Sequence, residues 1–352
     1  MNEVHFNFAK LNESDEIMSF ISNHWNDQHI FTKSKKLFVK EFLWLGRPEE
    51  LTIALAKDES NHIIGIFCFK FFSYGETQDL TGSIWKVTSD AENQHHMIGY
   101  RLRQFVIDNI PHRFFSAPGP TLETKSTYKM LRYQWNQMKQ YYLINPLLDN
   151  YQLIKCPKQN IKLLTNRNKS NILLKKIQNI KELNDFNFNR FSDILPFKDQ
   201  KYLENRFFDY PFFKYDVFLV YKENEKNAEN IIVCRKAIAK EKNGNHIASA
   251  YRIIDYYGEE DLLPDIIFKL FQKVQSQGDE FLDFVCHGFD DSLLKQAGMK
   301  ELDFDNIETI IPNWFEPLVK KNISVFCVAD KTNYTYRQCK ADGDQDRPSM
   351  KA

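Results

Sequence analysis

The sequence predicts an α/β (α+β) protein with two tandem domains, each a central mixed, mostly antiparallel sheet flanked by helices. Three observations predict it. Short runs rich in β-branched and aromatic residues alternate with helical stretches along the chain. The order of these elements in the first half returns in the second, although identity between the halves is slight. Ser83 to Tyr133 reads as strand, polar loop, helix, strand, helix, and a loop that opens a helix after a strand presents free backbone N–H groups.

Val4–Ala9 reads as the first strand. Ser14-Asp15-Glu16 supplies a cap and first-turn acids for a helix running toward Trp25. A second helical stretch covers Ser34–Leu45. Leu51–Ala56 and Ile63–Phe72 form a hairpin around the polar turn Lys57–Asn61. Then come the strand Ser83–Thr88, the loop Gln94–Gly99, the helix Ile98–Asn109, the strand Arg113–Ala117, the helix Glu123–Arg132 and the strand Gln134–Ile144. Asn145-Pro146 marks a boundary, dividing residues 1–146 from residues 147–352. In the second half Ile172–Ile177 is a strand, with helical stretches near Glu182–Phe191 and Asp199–Phe208. Asp216–Tyr221 and Asn230–Ala239 form a hairpin, and His246–Tyr256 is a third strand. Leu262–Ser276 reads as a helix, Phe281–Cys286 as a strand and Asp290–Ala297 as a helix. Asp303–Ile311 and Ile323–Val328 close the unit. Lys155–Lys176 reads as a solvated connection, and the polar, Gly/Pro-bearing tail Ala341–Pro348 as a frayed terminus.

The 352 residues carry 43% hydrophobic and 14% aromatic side chains, ample for a large core. The 47 basic residues cancel 47 acidic ones, so no net charge draws the chain to nucleic acid. No apolar run reaches the ~20 residues that span a bilayer. The opening Met1-Asn2-Glu3-Val4-His5-Phe6 lacks the basic and apolar regions of a signal peptide, so a cytoplasmic enzyme is expected. The six cysteines include no C-x-x-C pair and read as reduced core residues. No zinc spacing, P-loop or Gly-x-Ser-x-Gly elbow occurs, and no metal is expected.

Chemistry concentrates in a few places. In Gln94-His95-His96-Met97-Ile98-Gly99-Tyr100-Arg101, main-chain N–H groups can cradle a phosphate, because most residue types donate there. Arg101 either adds charge to that clamp or is a solvated helix residue. Tyr128, one strand and one helix later, can donate a proton; the alternative is one more tyrosine on a half-buried helix. The second half differs at both points. Its helix opens with Gly258-Glu259-Glu260-Asp261, whose carboxylates repel a pyrophosphate, and Leu294 stands where Tyr128 stands. His24, Trp25 and His29 lie between the first two helical stretches, where a histidine can relay a proton near neutral pH; the alternative is surface or capping histidines. Arg206, Tyr251 and Arg252 pair guanidinium groups with aromatics, suited to a nucleotide base and diphosphate, or to an ordinary core with solvated charges.

The Gly99 loop and Tyr128-Lys129-Met130-Leu131-Arg132-Tyr133 resemble the two motifs of the GNAT acyltransferases. Gly99 falls on a patterned glycine, while Met97, Arg101 and Arg132 replace small residues of the family pattern. With His24-Trp25…His29, Pro312–Pro317 and the tail Lys340–Pro348, the tandem arrangement is similar to bacterial sugar N-acyltransferases acting on dTDP-3-amino-3,6-dideoxyhexoses. The resemblance implies acyl-CoA (3-hydroxybutanoyl or acetyl) as co-substrate and a nucleotide sugar as acceptor. It implies that Met97, Ile98, Gly99, Tyr100 and Arg101 bind the pyrophosphate and that a main-chain N–H near Val87 meets the thioester carbonyl. It further implies that Tyr128 protonates the thiolate and that His24, His29 or a water chain takes the amine proton. Trp25, Arg206, Tyr251 and Arg252 border the acceptor, with Asp342 and Asp344 toward the sugar. Two other readings remain open: a Fem-type transferase drawing on aminoacyl-tRNA, and a non-catalytic binding module of decayed GNAT fold.

Overall fold

The computed structural model describes residues 3–75, 78–157, 171–240, 246–315, 318–330, 335–343 and 346–348. In the first half β1 (His5–Lys10) precedes α1 (Ser14–His24) and α2 (Lys35–Phe42), which leave the apolar faces Ile17/Phe20/Ile21 and Leu37/Phe38/Phe42 for the core. β2 (Glu50–Lys57), β3 (Ile63–Phe71) and β4 (Gln78–Val87) form a meander. There follow α3 (Ser89–Gln94), α4 (Ile98–Asn109), β5 (His112–Pro118), α5 (Lys125–Met130) and β6 (Gln134–Ile144). The second half runs β7 (Ile172–Ile177), α6 (Gln200–Leu203), β8 (Asp216–Lys222), β9 (Asn230–Lys240), β10 (His246–Gly258), α7 (Leu263–Gln277), β11 (Phe281–His287), α8 (Asp291–Gln296), β12 (Lys300–Glu301), β13 (Val325–Ala329) and β14 (Gln338–Cys339).

These strands make one mixed, mostly antiparallel sheet flanked by helices, in the order β1-β2-β3-β4-β5-β13-β6-β11-β10-β9-β8-β7, with β12 on β6 and β14 on β11. Two neighbouring pairs are parallel, β4–β5 and β10–β11, one in each half. β13 lies between β5 and β6, and β6 pairs along its later residues with β11. Each half therefore lends a strand to the other's ladder. α4 and α5 cover one face of the first-half sheet over Leu102, Val106, Phe115 and Tyr128. α1 and α2 cover the other, over Phe31, Phe38 and Ile53, where Tyr210 of the second half joins them.

Several expectations are corrected. Asp303–Ile311 is not a strand: Asp303 and Asn306 accept from backbone N–H groups two or three residues on, and such turns compete with a ladder. Ile310 makes a single bridge, to Lys155. The stretch near Glu182–Phe191 is only two short 3-10 segments, whereas that near Asp199–Phe208 is helical as expected, α6 followed by a π-helical turn. A further helix, α3, fills the stretch between the expected strand Ser83–Thr88 and the expected loop Gln94–Gly99; Thr88 caps it by accepting from Ala91 N–H. The described residues of the tail are not frayed. Asp342 and Asp346 are buried against Lys198 and Arg235 at 2.6 and 2.8 Å. Asp344, Glu316 and Pro317 lie outside the described residues, as do residues 158–170 of the connection. None of the six cysteines is in a disulfide. Among the described residues no helix is long and apolar enough to cross a membrane, and no group of three or more His, Cys, Asp or Glu is placed to hold a metal.

Candidate active site

β4 and β5 pair only from Gln78↔His112 to Thr81↔Ser116. Beyond that point β4 keeps its ladder to β3, while the end of β5 turns to β13 through Ala117↔Val328 and Pro118↔Cys327. A bulge drives the separation. Ser83 and Ile84 together oppose Cys68, which bends and twists β4 away. The result is a wedge between Gly82–Val87 and the end of β5.

Aromatic rings line one side of this wedge. Tyr128 of α5 lies 5.9 Å from Trp85, 5.7 Å from Tyr133 and 6.3 Å from Trp135, centroid to centroid. It is buried, and burial pushes its phenol up to about 12, with the Arg103 charge pulling the other way. Beside them α4 begins. Its N-cap, Met97, sits in the left-handed region at φ +52°, and no side chain caps the helix. A Cβ on Gly99 would stand 3.4 Å from Trp85 Nε1, so the first turn of α4 opens directly onto the wedge. Three buried polar groups around it, Ser83 Oγ, Arg103 Nε and Trp135 Nε1, have no hydrogen-bond partner. Such orphans are rare in a finished interior and suit a site that a polar ligand completes.

The other predicted residues divide. Val87 and Ile98 are buried, Tyr100 is half-buried and Met97 is exposed. Arg101 is exposed and lies over the Phe6 ring at 5.2 Å. His24 is exposed beside Phe20, and Trp25, 45% exposed, covers His29 at 4.9 Å. His29 is buried: its Nδ1 accepts from Phe31 N–H at 3.2 Å, and Arg347 Nη2 lies 2.7 Å from its Nε2. Arg206 donates to the carbonyls of Ala341 and Asp346 and to Tyr215 Oη. Tyr251 and Arg252 stay inside the second-half sheet, donating to Asp216 (2.6 Å) and Asp283 (2.7 and 2.8 Å). The structure thus gathers the α4 start and Tyr128 in one place, and His29 and Arg206 along the tail, but holds Tyr251 and Arg252 in structural pairs.

A narrow cleft lies between the halves, lined among others by Lys40, Glu41, Lys70, Thr81, Arg206 and Tyr210. Its charges face the tail: Lys70 pairs with Glu41 and donates to Gly343 O. Gly343, at φ +63°, has its missing Cβ position 2.8 Å from Pro118 Cγ, so only glycine lets the tail pass this close to β5.

The second half repeats the geometry and closes it. β10 and β11 pair from Tyr251↔Leu282 to Ile253↔Phe284 and then diverge. There β14 enters, through Cys286↔Cys339 and His287↔Gln338, and Ala341 N–H donates to Ile254 O. Gly288 makes room: a Cβ there would lie 1.8 Å from Tyr336 O. Leu294, on α8 as Tyr128 is on α5, is fully buried. Glu260, just before α7, is held by Arg337 at 2.5 Å.

Arg103 was missed by sequence reasoning. Its signal was faint: it shares a helix face with Val106 and Ile110, where an arginine is unexpected.

No protein-family model matches the chain, and no curated protein matches it. Solved structures do show likeness. A proposed acetyltransferase from Pyrococcus horikoshii is 10% identical, with 93% of this chain and 88% of that one covered at a TM-score of 0.47. Saccharomyces cerevisiae N-myristoyltransferase with bound myristoyl-CoA and inhibitors is 8% identical, with 98% and 85% covered at 0.45. A GCN5-related N-acetyltransferase from Sphaerobacter thermophilus is 7% identical, with 97% and 96% covered at 0.41. Likeness this slight assigns no activity by itself.

Proposed function

We propose that this chain is a CoA-dependent N-acyltransferase of the GNAT type. It moves an acyl group, 3-hydroxybutanoyl or acetyl, from CoA to the amine of a nucleotide-linked amino sugar of the dTDP-3-amino-3,6-dideoxyhexose class, a building block of surface polysaccharide made in the cytoplasm. Residues 1–146 hold acyl-CoA and residues 147–352 shape the acceptor side. One observation supports this reading: among the described residues no strand fills the first-half wedge beside Tyr128 and a helix start without a side-chain cap, whereas its counterpart is filled by β14.

In this reading the pyrophosphate rests at the start of α4 on the N–H groups of Gly99 and Tyr100, where the helix dipole favours an anion; Ile98 N–H already donates to His95 O at 3.3 Å. The thioester lies along Gly82–Val87 with its sulfur toward Tyr128. The amine arrives from the side of the inter-half cleft. His29 has both ring nitrogens facing donors, so His24 or a water chain is the better proton acceptor.

The test is calorimetry with CoA, followed by thiol release from acetyl-CoA and 3-hydroxybutanoyl-CoA with dTDP-amino sugars. Binding together with acceptor-dependent release is expected. No CoA binding would favour the non-catalytic module; turnover only with aminoacyl-tRNA would favour the Fem-type reaction.

A further inference from the structure

Four arginines are buried among the described residues: Arg103, Arg206, Arg235 and Arg252. Three are answered. Arg235 and Arg252 pair with Asp346 and Asp283 at 2.8 and 2.7 Å, and Arg206 donates to two carbonyls and a hydroxyl. Arg103 differs. It is 4% exposed, its Nε has no partner, and its Nη1 reaches Gln104 Oε1 at 3.5 Å, too long for a good hydrogen bond. Among the described residues it has no ion pair. Aromatic faces surround it instead: Tyr133 at 4.9 Å and Phe115 at 5.4 Å from ring centroid to guanidinium carbon. A buried guanidinium without a counter-ion is strongly unfavourable. Burial pulls Arg103 below the usual arginine range, and Tyr128 and Asp330 push it back.

The cation therefore stands near the phenol, both packed on Tyr133, with Asp330 and Asp108 acting on it only from a distance and, among the described residues, no directly paired anion. The acyltransferase reading supplies one. We propose that Arg103 is the counter-ion of the leaving thiolate, so that the CoA sulfur departs as an anion held by the Arg103 charge and the Tyr128 O–H.

This inference rests on that reading and changes its last step. The amine nitrogen attacks the thioester carbon and forms the C–N bond. The C–S bond breaks, and its electron pair goes to sulfur. The amine proton leaves to His24 or water, and Tyr128 keeps its own. The balance is amine plus thioester giving amide, thiolate and a proton. Proton transfer from Tyr128 runs the wrong way: a phenol pushed up to about 12 would have to protonate a thiolate whose conjugate acid titrates near about 8.5, uphill by roughly 10³-fold. A hydrogen bond from the same phenol, with a cation beside it, carries no such penalty.

The test follows the thiol of bound CoA by its ultraviolet thiolate absorbance against pH, with desulfo-CoA as the blank. In the wild type the bound thiol should titrate at least one unit below about 8.5. Arg103→Met should raise it by a unit or more, Arg103→Lys should keep most of the depression, and Tyr128→Phe should raise it less than Arg103→Met. A wild-type thiol at its free value, or an unchanged thiol in Arg103→Met, overturns the proposal. If Arg103→Met does not fold, the wild-type and Arg103→Lys titrations decide it in the same way. Failure of the wild type to bind CoA is read separately: it overturns the acyltransferase reading and this step with it.

Discussion

The two halves contain the same opening and treat it oppositely. Between β4 and β5 the gap is lined by Trp85, Tyr128 and Trp135 and retains unpartnered polar atoms. Between β10 and β11 the gap is occupied by residues 338–341, whose backbone completes the ladder. A sheet that splays leaves edge groups unpaired, and those groups must find a partner or cost stability. The second half finds it in its own chain. In the first, no strand among the described residues takes that position.

Five experiments would break or sharpen that contrast. The largest effect is expected at the plug. Asp346→Ala removes a buried carboxylate that pairs with Arg235 and accepts from Tyr215 Oη. It should cost about 3–5 kcal/mol in urea unfolding; a loss under 1 kcal/mol would mean the tail is not held as described.

Lys340 comes next. It is buried, its Nζ has no hydrogen-bond partner, and burial, reinforced by Arg252, pulls it down to about 7. The folded chain thus binds fewer protons than the unfolded chain between about pH 7 and the unperturbed lysine value of 10.5. This group's stabilisation is full above that value and is lost as pH falls toward 7. It should add a slope of roughly 1.4 kcal/mol per pH unit across the window. Lys340→Met should raise the thermal midpoint at pH 7 and flatten that slope; an unchanged slope would exclude Lys340 as its source.

In the first-half wedge, Tyr128→Phe should lower kcat about 10- to 100-fold with little change in KM, the scale of a hydrogen bond to a charged group. Gly99→Glu copies the acidic helix start of the second half into α4, and CoA affinity should fall about tenfold. Unchanged affinity in calorimetry would remove α4 from the phosphate cradle. Arg101→Ala should matter least. The side chain is exposed and stacked on Phe6, so CoA affinity should change less than about threefold.

How much of this was legible in the sequence depends on how local each signal is. α4, β6 and β7 have the expected bounds, because their apolar periodicity lies within the segment. The neighbourhood of the Gly99 loop and Tyr128 follows from chain order in the block from Ser83 to Tyr133. Arg103 was not legible. An arginine on an amphipathic helix reads as solvated, and only the packing of Phe115 and Tyr133 over it shows otherwise. The tail misled for a related reason. Its polar composition looks like a loose end, but its carboxylates meet Lys198 and Arg235, more than a hundred residues away. Tyr251 and Arg252 look like binding groups, yet nearby carboxylates on β8 and β11 engage them. The insertion of β13 between β5 and β6 is invisible to any local pattern.

That insertion bears on how the molecule is made. A ribosome releases β5 and β6 long before β13, roughly 200 residues later than β5. Until then two hydrogen-bonding edges near the middle of the sheet stand bare, a template for pairing with the wrong chain. Nascent protein should therefore be at greatest risk of aggregation just before Val325–Ala329 emerges, and its slow folding step should be the closing of that seam.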